Sequence, residues 1–139
     1  MISRVLVPMD GSEMAERALR YAFEAHPDAE ITVLHVVGGP SSMMSGAASL
    51  ALADDPEGAA RASAEGTLER AREIAAECGG GVETDVRVGS AARTIAEAAE
   101  AFDTVVVGRH SGGIVDRLFV GDVAKAVVRR SPVPVTVVR

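Results

Sequence analysis

Five short runs of β-branched and aliphatic residues alternate with four segments of helical periodicity, and that alternation leaves very few folds open to the chain. The strand-like runs are Arg4–Pro8, Glu30–Val37, Val82–Val88, Thr104–Val107 and Val133–Val138. Between the first two, Ala15, Ala18, Leu19, Ala22 and Phe23 recur at the spacing of one helix face. Ser12 stands where it can cap that helix, Glu13 and Glu16 lie in its first turn, and His26-Pro27 ends it. Asp55-Pro56 opens a longer helix with Ala64, Leu68, Ala71, Ala75 and Cys78 on one face, and Gly79-Gly80-Gly81 stops it. Cys78 is read there as a small buried residue. Ser90 is placed to cap a third helix whose stripe is Ala91, Ile95, Ala98, Ala99 and Phe102. The fourth spans Val123–Arg130, with Arg129 and Arg130 where the dipole favours cations, and Ser131-Pro132 ends it.

Strands alternating with amphipathic helices imply right-handed crossovers and a parallel sheet covered on both faces. The expected fold is α/β: a doubly wound, open five-stranded parallel sheet of order 3-2-1-4-5, Rossmann-like, with helices on both faces. Its switch point lies between strands 1 and 4, whose carboxyl ends carry Pro8-Met9-Asp10 and Gly108-Arg109-His110. The glycine-rich stretch Gly108–Gly113 follows a strand, and Gly121-Asp122 stands just before a helix. Unpaired N–H groups and the helix dipole suit such a place to an anion such as phosphate. Residues 38–54 lack periodicity and are expected to form a mobile loop within a single domain of residues 1–139.

Composition narrows the function classes. A net charge of −6 argues against nucleic acid as a partner, because such a grip needs clustered positive charge. With 3% aromatics in a chain that is 47% hydrophobic, the core has to be built from Val, Ile, Leu and Ala. One cysteine allows neither an internal disulfide nor a cysteine metal cluster, and no histidine pair has metal-ligand spacing. No apolar run reaches the roughly 18–20 residues that span a bilayer, and Met1-Ile2-Ser3-Arg4 leads straight into a strand without a signal peptide. A cytoplasmic protein with no membrane partner is the expectation. In the last strand Pro132 and Pro134 alternate with Val133 and Val135, which places it at a sheet edge. An apolar edge needs cover, so a homodimer through Val133–Val138 is expected; the alternative is a monomer edge protected by its prolines.

Several stretches together resemble single-domain universal stress proteins of the UspA type. They are Val5-Leu6-Val7-Pro8-Met9-Asp10-Gly11-Ser12, Leu34-His35-Val36, Val88-Gly89, Val107-Gly108, Leu118-Phe119-Val120-Gly121-Asp122-Val123-Ala124 and Arg130-Ser131-Pro132-Val133-Pro134-Val135. ATP-binding members of that family carry glycine, two residues, glycine, nine residues, glycine, then Ser or Thr. Here Gly108 and Gly121 match, while Ser111 replaces the second glycine and Asp122 the hydroxyl residue. The resemblance implies that Pro8, Met9 and Asp10 approach adenine and ribose, Asp10 accepting from a sugar hydroxyl. It implies backbone contacts from Val36 to adenine. Val107, Gly108, Arg109, His110 and Ser111 would line ribose and phosphates, with Gly121, Asp122 and Val123 at the phosphate-facing helix start. The implied ligand is ATP or another adenine nucleotide, with Mg2+ or Mn2+ able to bridge Asp122 and phosphates.

Three functions follow from these readings. The leading one is a dimeric stress-response regulatory protein whose nucleotide changes the surface offered to protein partners. The rivals are a nucleotide-free dimeric interaction module, disabled by Asp122, and a weak ATPase or phosphotransferase. Lys125 does not have Walker spacing after a glycine loop. His35 is read as a core or hydrogen-bonded strand histidine. His110 is either a phosphate or proton-transfer group or a solvent-exposed residue. Arg109 and Arg117 are candidate phosphate contacts, and Met43-Met44 either covers a base or packs under a loop.

Overall fold

The central strand β1 (Arg4–Pro8) has every side chain from Val5 onward buried, so it has to be flanked on both edges and both faces. The structure, a computed structural model, describes residues 1–38, 56–109 and 121–139. After β1 come α1 (Glu13–Ala25), β2 (Glu30–Val37), α2 (Pro56–Glu77) and β3 (Glu83–Val88). The second half holds α3 (Ala91–Ala98), β4 (Thr104–Gly108), α4 (Gly121–Arg130) and β5 (Val135–Val138). The five strands pair in parallel in the order β3-β2-β1-β4-β5. This is the doubly wound α/β sheet that the alternation of periods predicts.

Side chains alternate across a strand, and here the alternation sorts them into two cores. Val5, Val7, Met9, Ile31, Val33 and Val106 meet Ala15, Ala18, Leu19 and Ala22 of α1 and Ala64, Leu68, Ala71 and Ile74 of α2. Leu6, Leu34 and Val105 face the other way, against Ile95, Ala98, Ala99 and Val127. Leu6, Leu19, Ile31, Leu34 and Ile74 are fully buried, and each contributes about 2 kcal/mol relative to exposure in water. The many alanines let the helices lie close to the sheet, so few aromatic rings are needed to fill the interior.

Several local expectations change. Cys78 is exposed, because α2 ends at Glu77 and the chain turns before the helical stripe reaches it; Ile74 takes the buried place. Ser90 precedes α3, but its side chain makes no capping hydrogen bond. That helix is also shorter than its stripe: a 3-10 turn, Ala99–Ala101, follows it, and Phe102 packs partly buried beyond the turn. Strand β3 starts at Glu83, and Val88, at the end of what is the outermost strand among the described residues, is 54% exposed. Strand β5 starts at Val135 rather than Val133. The Ser131 hydroxyl donates to Val133 O at 2.8 Å and accepts from Val133 N–H at 3.2 Å, which ties that residue into a turn. The 38–54 loop expectation falls, beyond Gly38, outside the described residues. No helix among the described residues is long and apolar enough to cross a membrane.

The amino end of the sheet is tied by Asp103. Its Oδ2 accepts from Ser3 N–H at 2.8 Å and from Arg4 N–H at 3.0 Å, and the Arg4 guanidinium lies 4.9 Å from the Phe102 ring centroid. The Ser3 N–H, then the Arg4 N–H, hold the Asp103 carboxyl below the usual carboxylate range. A depressed folded-state pKa adds stability above the unfolded value of about 3.9, and that stability disappears as pH falls through the folded value. Asp103→Asn is therefore expected to be less stable than the parent at pH 7. Urea unfolding at descending pH should show the gap closing below about pH 4. A gap independent of pH would rule out the charged clamp.

Candidate functional site

The chain leaves β1 through a short sequence of turn devices, each set by one residue. Met9 N–H donates to Leu34 O at 2.9 Å, extending the β1–β2 ladder one residue past the strand. His35 Nδ1 lies 2.8 Å from Met9 O; a carbonyl can only accept, so the imidazole donates through Nδ1. Asp10 Oδ1 then accepts from Ser12 N–H at 2.9 Å, closing an Asx turn. Gly11 inside that turn has φ +85°, a conformation that L side chains resist. Ser12 caps α1 as expected, its hydroxyl accepting from Ala15 N–H at 3.2 Å. The family resemblance implies a sugar-hydroxyl contact for Asp10; what the structure shows is a turn-closing role. The turn uses Oδ1 of an exposed carboxylate that offers two acceptor oxygens.

Register places the second segment beside the first. Val5 pairs with Thr104 and Leu6 with Val105. Continued along the parallel strands, this sets Pro8 beside Val107 and Met9 beside Gly108. On the other side Pro8 pairs with Leu34, which puts Asp10 level with Val36. Pro8-Met9-Asp10, Val36 and Val107-Gly108 thus converge on one lip at the carboxyl ends of β1, β2 and β4, with Arg109 just past it. Val107 is buried, and the side chains of Val36 and Val123 pack against the core under α3 and α4. The β4–β5 register turns the Val107 N–H and C=O toward β5, so its backbone is engaged in the sheet, whereas Val36 has its N–H and C=O on the β1 side.

Gly108 is fixed by packing. A Cβ there would lie 2.6 Å from Met14 O, 2.7 Å from Met14 C and 3.1 Å from Ala15 N. The first turn of α1 therefore rests on the Gly108 backbone, and only glycine lets the helix start come so near the end of β4. Arg109 is exposed, but its N–H already donates to Val138 O at 2.8 Å, so only its side chain remains for a phosphate. Gly121 and Asp122 form the first turn of α4, at the same end of the sheet. His110 and Ser111, with Arg117 and Met43-Met44, fall outside the described residues.

A concavity lies on the α1–α2 side of the lip. It is an open cleft of about 320 Å³ lined by Met9, Gly11, Glu16, Gly66, Thr67 and Arg70, and it includes no residue of β4. Arg70 Nε reaches Glu16 Oε1 at 2.9 Å, and Arg70 also pairs with Glu73 at 3.1 Å. These contacts, that with Glu16 first, hold the guanidinium above its ordinary pKa. A cation so committed to carboxylates has little left for an anion, so the lip at the switch point is the better ligand site. Nothing in the sequence marks the Glu16–Arg70 pair, whose members are 54 positions apart and belong to no motif.

The comparisons with known proteins bear on the family and the fold. The model of the universal stress protein family matches residues 1–139. The chain belongs to the universal stress protein family. A universal stress protein of Mycolicibacterium smegmatis is 30% identical over 142 residues, covering 96% of this chain and 47% of that protein. The chain thus spans about half the length of the curated relative it matches. Among solved structures, hypothetical protein MJ0577 is similar at TM-score 0.76 and 26% identity, over 99% of this chain and 96% of that one. A universal stress protein solved in complex with cAMP is similar at TM-score 0.71 and 28% identity, over 99% and 97%. For this universal stress protein, two family glycines now have distinct physical settings. Gly108 receives the α1 backbone, and Gly121 opens α4.

Proposed function

We propose that this universal stress protein binds an adenine nucleotide, ATP or another, at the lip formed by β1, β2 and β4, and acts as a stress-response regulatory protein. The observation that carries the reading is the convergence of Asp10, the Val36 backbone and the Gly108 backbone at the switch point of the sheet. The solved relative in complex with cAMP, 28% identical over nearly the whole chain, supports it. Asp10 serves the ribose, Val36 the base, and the first turn of α4 the phosphates. Mg2+ or Mn2+ accompanies a polyphosphate, offsetting the charge of Asp122. Calorimetric titration with ATP and AMP, each with and without Mg2+ or Mn2+, tests the reading. Micromolar binding is expected, with a metal requirement for ATP and a weaker one for AMP. No binding in any arm, on protein freed of co-purified nucleotide, would overturn it in favour of an interaction module.

The second part of the proposal is a homodimer through β5. Arg109 N–H donates to Val138 O and Val105 N–H to Pro134 O, so those residues turn toward β4. By alternation Val135 and Val137 turn their N–H and C=O groups to the open edge. Val137 is 40% exposed, and among the described residues β5 is the outermost strand on that side. Two copies pairing there satisfy both backbones and cover the valines. Light scattering should give the mass of a dimer, reduced to that of one chain by Val137→Lys. A monomeric parent protein would exclude the arrangement.

A further inference from the structure

A strand's peptide groups turn alternately to its two neighbours, and on β2 the alternation can be read directly. Leu34 O accepts from Met9 N–H, on the β1 side, and Val37 O accepts from Gly89 N–H, on the β3 side. Val36, between His35 and Val37, therefore turns both its N–H and its C=O toward β1. In a continuing parallel ladder the next rung would run from Val36 N–H to Met9 O. Among the described residues that rung is not formed: the contact to Met9 O comes from the His35 ring at 2.8 Å. The ladder ends there, level with Asp10, and the Val36 peptide faces the crevice.

We propose that His35 is a positioning residue of the nucleotide site: by holding the Met9 carbonyl it stops the β1–β2 ladder one rung early and presents the Val36 N–H and C=O as a donor–acceptor pair for the adenine edge. The inference rests on the nucleotide reading above. Adenine offers an amino donor at C6 beside the acceptor N1, the complement of one residue's C=O and N–H turned the same way. Hypoxanthine carries a carbonyl at C6 and N1–H, the reverse pattern. The site built by His35 thus discriminates AMP from IMP. His35 need not touch the ligand to do so.

The test compares the parent protein with His35→Asn and His35→Leu. The Asn side-chain amide sits where Nδ1 does and can still donate to Met9 O; Leu cannot. Calorimetric titration with AMP and IMP should show the parent and His35→Asn preferring AMP. His35→Leu should bind AMP about tenfold more weakly and lose most of the preference, the scale of one hydrogen bond. A merely structural role would change melting temperature and leave the AMP-to-IMP ratio where it was. Amide hydrogen exchange without nucleotide supplies an independent arm. Val36 N–H should exchange faster in the parent and in His35→Asn than in His35→Leu, where Met9 O recaptures it. Equal protection of Val36 in all three overturns the inference whether or not nucleotide binds, and so does an unchanged AMP-to-IMP ratio in His35→Leu. Failure of the parent to bind AMP instead defeats the nucleotide reading, and the exchange arm still decides whether His35 frees Val36.

Discussion

Gly108→Ala is expected to lower the unfolding free energy by about 3 kcal/mol, the upper part of the range for overpacking a filled interior. For a chain of this length that corresponds to a fall in melting temperature of roughly 10 °C. The new methyl group would sit 2.6 Å from Met14 O, and the atom it meets is backbone, which cannot rotate aside as a side chain would. Either α1 lifts from β4 or the end of β4 bends. Both move the Asp10–Ser12 turn, so nucleotide affinity should fall with stability. Gly66→Ala is the control. Gly66 lies in α2 with no atom within 4 Å of its would-be Cβ, so alanine there should stabilise by about 0.5–1 kcal/mol. Opposite signs for two Gly→Ala changes, read by thermal or urea unfolding, are the signature. A Gly108→Ala protein that melts within two or three degrees of the parent would mean that α1 does not rest on β4 in solution.

Asp122→Ser is expected to raise affinity for metal-free ATP by between about tenfold and about a thousandfold. A carboxylate about 4 Å from a phosphate charge costs on the order of 1 kcal/mol in water and about 4 kcal/mol at the effective dielectric of a protein surface. Serine removes that repulsion and adds a donor. The gain should shrink when Mg2+ is present, because the metal then screens the aspartate, and it should be smaller for AMP than for ATP. The same change withdraws a negative charge from the first turn of α4, which costs that helix about 0.3–1 kcal/mol. Higher affinity with slightly lower stability is therefore the expected pair of results by calorimetry and thermal unfolding. Unchanged ATP affinity in both metal conditions would show that the first turn of α4 does not face the phosphates.

The two variants probe positions that differ in how they can be read. Asp122 is legible as a departure from a motif, because its position relative to Gly108 and Gly121 is a matter of counting. The role of Gly108 is not. As a sequence letter it is a glycine after a strand and reads as part of a phosphate loop. Its partner, the Met14 backbone, is 94 positions away and has no side-chain signature. Cys78 shows the same limit from the other side. Its spacing from Ala71 and Ala75 puts it on the buried stripe, but α2 stops one residue short, and a stripe has meaning only while the helix lasts. Likewise β5 loses Val133 to the Ser131 turn, a hydrogen bond two residues long that the valine periodicity does not register.

By itself the sequence determined the element order, the parallel sheet and its switch point, since periods of two and of three to four are written in the spacing of apolar residues. It also determined which segments reach the carboxyl end of the sheet, because chain direction and right-handed crossovers leave little choice. Only the tertiary structure decided what those segments touch there. That α1 rests on Gly108, that Arg109 N–H is taken by β5, and that the His35 ring reaches the Met9 carbonyl are contacts between strands and helices distant along the chain. Local periodicity carries the burial of a side chain; it does not carry the partner of a hydrogen bond.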